Sequence, residues 1–176
     1  KNNLKKKVEK KCNKYGYITK LFKILDYSDG EIIPENFDSS SIFNIRYSCR
    51  ICLPIEKTKI ICKIDILNKA LIKAVNGPIV CIIKMSELNT DKFSQNNKNE
   101  IIYNENNKVL SVNDYIIVNI LATNFFAGDE RMIILASLED LPNSKQISEF
   151  YNEDFETDDF ENVEDSENEV ILEDNI

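Results

Sequence analysis

Five cations, Lys63, Lys69, Lys73, Lys84 and Arg131, fall on or beside stretches that read as β-strands. Cations strung along a groove can track a phosphate backbone without reading sequence, and such binding weakens as salt rises. Reactive chemistry is harder to assemble. The chain has no His, which removes the usual imidazole base, metal ligand and triad member. Asp129-Glu130 is an acidic pair, but between two apolar runs it reads as a hairpin turn. The four glycines sit at turns or bends and build no phosphate-cradling loop. Cys49 and Cys52 give the one suggestive thiol spacing. In a strand, residues three apart face opposite ways, and no second pair completes a zinc site. The expectation is a non-catalytic protein without cofactor or metal.

The cations are positioned by the stretch Lys59–Leu88, which reads as three short strands. Lys59–Leu67 is the first, Asn68-Lys69 a turn, and Ala70–Val75 the second. Asn76-Gly77-Pro78 reverses the chain, because Asn-Gly tolerates positive φ and Pro starts a strand at its rim. Ile79–Lys84 is the third strand, and Ser86–Leu88 a single helical turn. Alternation puts Ile60, Cys62, Ile64 and Ile66 inward with Lys63 and Asp65 outward, then Ile72 and Ala74 inward with Leu71 and Lys73 outward. Tyr115–Phe126 and Arg131–Leu138, joined at Ala127–Glu130, supply a fourth and fifth strand. Five strands in this order predict an OB-type barrel. No aromatic lies on the first three strands. Phe93, Phe125 and Phe126 are the nearest stacking candidates, and at least one of them is expected in the core. The same cations also fit a solvated face with no ligand.

Before the barrel, residues 1–11 read as the end of a basic helix with Leu4 and Val8 on one face. Tyr15–Leu25 is strand-like, Ser28–Gly30 a turn, Glu31–Pro34 extended, and Glu35–Ser41 a polar loop. In Ile42–Leu53 the residues Phe43, Ile45, Tyr47, Cys49 and Ile51 share one face, so it reads as a half-buried strand that Pro54 ends. Between Leu88 and Tyr115 the chain is polar and Asn-rich, and reads as a long loop of the kind that is often functional. Leu141-Pro142 closes the fold.

Charge divides the chain. From Glu149 onward there are 13 acidic residues and no Lys or Arg, which leaves residues 1–148 with 22 bases against 17 acids, a net of +5. That split fits a nucleic-acid-facing body with a solvated or partner-facing tail, and equally a tail that only solubilises. Beyond about Phe150 low hydrophobicity predicts disorder. Val170–Leu172 there reads as a chance apolar triplet or a short docking motif. Five cysteines predict no disulfide framework. No apolar run approaches the roughly 20 residues of a membrane span, and no signal-peptide pattern is present. The chain opens without Met, and the expectation is that it begins inside a longer gene product.

Several moderate motifs occur in a recognisable order: Lys11–Ile18, Asp29–Pro34, the Phe43–Pro54 strand ending Cys52-Leu53-Pro54, and the meander carrying Asn76-Gly77-Pro78. Over about residues 4–142 this order resembles the large stalk subunit of multisubunit RNA polymerases, the seventh subunit of eukaryotic polymerase II and the E-type subunit of archaeal polymerase. The resemblance implies an α+β, mostly β architecture. A truncated RNP-like tip domain (1–54), lacking an edge strand and the first part of its helix, is followed by an S1-type OB barrel (55–142) and an acidic tail (143–176). It implies docking on the polymerase core near the clamp, pairing with a smaller stalk subunit, and binding of the nascent transcript; with no aromatic on the first three strands, the contact expected with single-stranded RNA is weak and sequence-independent. Carried onto this chain, Tyr15, Gly16, Tyr17, Gly30, Pro54, Gly77 and Pro78 become the docking residues. The expected RNA contacts remain the cations read from the strand pattern, Lys63, Lys69, Lys73, Lys84 and Arg131. Ala70-Leu71 and Glu56–Thr58 depart from the family pattern, which weakens the RNA expectation. The Asn-rich loops and acidic extension suit a polymerase encoded by a large DNA virus, acting in the virion and viral factory; a cellular protein would act in the nucleus. A free-standing S1-type RNA-binding or translation-factor-like protein is the other reading.

Overall fold

The structure is a computed structural model and describes residues 2–32, 41–96, 100–152 and 172–175. The expectations for residues 33–40, and for the tail at 153–171, lie outside them.

Helix α1 (Asn2–Val8) precedes strands β1 (Cys12–Asn13), β2 (Gly16–Tyr27), β3 (Glu31–Ile32), β4 (Ser41–Ile42) and β5 (Asn44–Cys52). Asn13 folds the β1–β2 hairpin, its side-chain oxygen accepting from the amides of Tyr15 and Gly16. β2 pairs antiparallel with β5, and the pairing shifts three times, at Ile18/Lys20, Leu21/Lys23 and Ile24/Asp26. Each bulge adds one residue to β2. The core positions of β2 therefore recur every third residue: Ile18, Leu21 and Ile24 pack with Leu4, Val8, Ile45, Tyr47 and Cys49 as one small core under α1. β5 keeps the ordinary alternation read from its sequence.

The barrel strands are β6 (Lys59–Leu67), β7 (Leu71–Asn76), β8 (Ile79–Lys84), β12 (Tyr115–Asn124) and β13 (Met132–Asp140), closed in the order β12-β13-β8-β7-β6. Every pairing is antiparallel except β8 with β13. The five expected strands thus form the expected OB-type barrel. Its interior holds Cys62, Ile64, Ile72, Ala74, Cys81, Ile83, Ile116, Val118, Ile120, Met132, Ile134, Ala136 and Leu138, all essentially without exposed surface.

Two expectations need correction. Ile66 does not point inward: a bulge between Ile64 and Ile66 flips the phase of β6, leaving Ile66 45% exposed while Leu67 packs on the core. The stretch after Leu88 is not one long loop. It contains β9 (Phe93–Gln95), β10 (Ile101–Tyr103) and β11 (Lys108–Val109), a small sheet that drives Phe93, Ile101, Tyr103 and Leu110 into the barrel core. The asparagines make turns within it, Asn107 taking φ 55°. Past Pro142 the chain forms a helix, α2 (Ser144–Asn152). Asn143 and Gln146 cap it reciprocally, each side chain accepting from the other's amide at 2.9 and 2.8 Å. Further on, β14 (Leu172–Asn175) pairs antiparallel with β5. Among the described residues no helix is long and apolar enough to cross a membrane.

The leading sheet is bonded directly to the barrel. The Cys12 amide donates to Asp129 O at 2.7 Å, and the Gly128 amide donates to Cys12 O at 2.8 Å. The Cys12 side chain lies in the barrel core, with Tyr17 and Cys52 packed against it. The segment leaving β5 is fastened too, with Lys57 N donating to Ile120 O and Ile120 N to Thr58 O. Cys49 packs on the small core and Cys52 on the barrel core, so the two thiols diverge.

Candidate nucleic-acid interface and docking surface

Three of the five sequence-derived cations gather at one end of the barrel. Lys69 lies in the β6–β7 turn, Lys84 pairs in register with Leu71, and Lys73 sits two residues further along β7. Lys73 is engaged by Asp65 across the strand at 2.7 Å, which leaves Lys69 and Lys84 as the exposed cations there. Lys63 stands toward the other end, opposite Val75 and Tyr115. Arg131 precedes Met132, which pairs with Ile79, so it too belongs to the far end of β8. The strip is therefore two groups rather than one line.

Of the proposed stacking residues, Phe93 is core, Phe125 packs partly on the core, and Phe126 is 70% exposed beside the β12–β13 hairpin. An aromatic that the strand-by-strand reading missed is Tyr115. It lies on the outer face of β12 directly across from Lys63, and its ring meets Tyr151 of α2 edge-on with centroids 5.8 Å apart. Cross-strand register, not the local sequence, creates that pairing. Beside it α2 and the outer face of β6 and β12 enclose a groove of about 350 Å³ lined by Lys59, Ile61, Ile117, Gln146 and Phe150.

A second basic face lies on the leading sheet. The bulges put Lys20, Lys23 and Asp26 of β2 opposite Arg50, Ser48 and Arg46 of β5, on the side away from α1. Phe22, an extra residue of the second bulge, has the Lys20 ammonium and the Arg50 guanidinium 5.9 and 5.8 Å from its ring centre. Arg46 pairs with Asp26 at 3.1 Å. Cations flanking an aromatic ring suit a stacked base with its phosphates. The signal was in the sequence, but a period of two hid it.

The residues expected from the sequence to dock divide by environment. At Gly16, with φ 140°, an added Cβ would come within 2.7 Å of Ile51 Cγ2 and 2.8 Å of the Cys52 carbonyl, so the glycine lets β2 and β5 approach. Tyr17 packs on the barrel core, which pushes its hydroxyl pKa up chiefly by burial. Pro54 is buried, and the Pro78 carbonyl accepts from Met132 N, joining β8 to β13. At Gly30 an added Cβ would strike the Phe43 ring. Tyr15 and Gly77 are exposed. Exposed apolar side chains occur at the end of the leading sheet remote from the barrel, where Tyr27 is 73%, Ile32 69% and Phe43 43% exposed, and also on and beside the barrel, as at Ile55, Ile133 and Phe126.

The inserted sheet is latched to the barrel by charge. Asp140 accepts from Tyr103 OH at 2.8 Å and from the Leu141 amide, and it pairs with Lys92. Burial pushes the Asp140 carboxyl up, but these donors outweigh it and hold the pKa below the ordinary value. The same hydrogen bond pushes Lys92 up, and Tyr103 is raised by burial and by its bond to Asp140.

No family model matches the chain. A curated protein of Acanthamoeba polyphaga mimivirus, named Putative DNA-directed RNA polymerase subunit, is 30% identical over 151 residues, which cover 86% of this chain and 75% of that protein. The chain belongs to this RNA polymerase subunit family. The relative is viral, and the aligned length takes in most of both chains. Membership therefore rests on the body as a whole, not on one motif.

Proposed function

We propose that this chain is the large stalk subunit of a virus-encoded RNA polymerase. Residues 1–54 act as its docking tip and residues 55–142 as an S1-type barrel held near emerging RNA. One observation carries the reading: the barrel is fixed by backbone hydrogen bonds to a sheet whose far end, with the β3–β4 ribbon, exposes Tyr27, Ile32 and Phe43. An apolar, exposed strand end is the kind of surface that core subunits cover. The bonds at Cys12 and Lys57 would transmit that anchorage to the barrel. Catalysis then belongs to the large subunits, and this chain positions the clamp and guides the transcript. A smaller stalk subunit would share the leading module, and the working location would be the virion and viral factory. RNA contact would be weak and sequence-independent, through Lys69 and Lys84 at one end of the barrel and Lys63 with Tyr115 at the other.

Affinity purification of the tagged chain from the cells in which it is made tests this. Co-elution of the large polymerase subunits supports it; elution as a lone chain, or with ribosomes, refutes it and favours the free-standing RNA-binding reading.

A further inference from the structure

Cys62 on β6 and Cys81 on β8 both point into the barrel, have no exposed surface, and bring their Sγ atoms to 3.2 Å. β7 runs between their strands. They can meet across it because β7 contributes Ala74 at that level, paired with Cys81 on one side and Ile64 on the other. A larger side chain there would hold the sulfurs apart. Their separation is already below the roughly 3.5–4.0 Å at which apolar atoms settle, and a bond needs about 2.05 Å.

We propose that Cys62–Cys81 is a modification site: a buried dithiol that closes to a disulfide when the chain meets a peroxide. The thiolate of one cysteine attacks a peroxide oxygen, the O–O bond breaks, and the products are a sulfenic acid and, after protonation, water. The second thiol then attacks the sulfenic sulfur, forming the S–S bond and releasing a second water. Two thiols and one hydrogen peroxide thus give one disulfide and two waters, the sulfurs losing the two electrons that the peroxide gains.

The surroundings set the rate. The bond to Cys81 and burial push the Cys62 pKa up, so the thiolate is scarce while the barrel is closed. Oxidation must wait for the barrel to open, and the finished bridge is equally shielded from reductants. The pair is a slow lock that ties β6 to β8 over β7, not a rapid sensor.

The test treats the whole chain with hydrogen peroxide, with and without sub-denaturing urea, then maps peptides without reduction and measures thermal unfolding. The expected result is a cross-linked Cys62–Cys81 peptide pair, formed faster in urea, with the unfolding midpoint raised by roughly 5–12 °C. Cys81→Val, which replaces the thiol with an apolar side chain one heavy atom larger, abolishes both. Recovery of Cys62 and Cys81 as separate thiol or sulfinic peptides, under conditions that oxidise the half-exposed Cys49, overturns the proposal. So does an undiminished midpoint rise in Cys81→Val. Should that variant fail to fold, the peptide map of the unaltered chain decides alone.

Discussion

Cys12 and Asp129 lie far apart in sequence, yet the Cys12 amide donates to the Asp129 carbonyl at 2.7 Å, and the neighbouring Gly128 amide returns to the Cys12 carbonyl at 2.8 Å. A two-residue strand of the leading sheet is thereby fastened to the hairpin between the last two barrel strands. Around it the Cys12 thiol is buried, and its pKa is raised first by that burial and then by the charge of Asp129.

This junction can be loosened at one atom. Gly128 takes φ 95° with open space around it, so Gly128→Val meets backbone strain rather than a clash. A drop of about 1–2 kcal/mol is expected in urea unfolding. Hydrogen exchange should locate it, with the amides of residues 12 and 128 exchanging faster while the amides of β7 do not.

Gly16 is the opposite case, where strain and crowding combine. Gly16→Ala drives a methyl group toward the Cys52 carbonyl, a backbone atom held by the β2–β5 ladder. Destabilisation of about 2–3 kcal/mol is expected, read as a lowered thermal midpoint.

The Asp140 latch predicts a pH profile. Its folded pKa lies below the unfolded one, so its contribution is complete above about pH 4 and is lost as pH falls through the folded value. Lys92 runs the other way: its contribution is present below its unfolded pKa and lost as pH rises through the raised one. Tyr103→Phe removes one donor and should cost about 1 kcal/mol at neutral pH. The gap to the unaltered chain should narrow as Asp140 becomes protonated in acid, which urea unfolding at a series of pH values would register.

For RNA, Lys69→Ala with Lys84→Ala should reduce the slope of log affinity against log salt by about 0.7 for each phosphate that is no longer neutralised. Phe22→Ala should weaken binding by about 1–3 kcal/mol if a base stacks there, with little change in that slope. Titration of a short single-stranded RNA at several salt concentrations separates the two faces, and an unchanged affinity in both variants would remove RNA from the account.

The barrel was legible because its strands alternate and its turns carry Asn-Gly-Pro and Ala-Gly-Asp; these are local features. Ile66 and the period-three core of β2 were not, because a bulge is a property of two paired strands and shifts the phase without marking the sequence. The sheet after Leu88 was hidden by asparagines that composition assigns to loops, although Ile101 and Tyr103 alternate as a strand should. Helix α2 had a readable cap in Asn143 and Gln146, overshadowed by the acidic run behind it. At the candidate interfaces the cations could be named from sequence. Their division into two groups, and the partnership of Lys63 with Tyr115, depended on register.

On the proposed function, the apolar end of the leading sheet grips a polymerase core while the barrel faces RNA. A photo-crosslinking residue placed at Tyr27, compared with one at Lys84, tests it in the assembled transcribing enzyme. The account predicts that position 27 captures large polymerase subunits and position 84 captures nascent RNA. Capture of RNA at 27 and of core subunits at 84, or no polymerase crosslink from either, would contradict it.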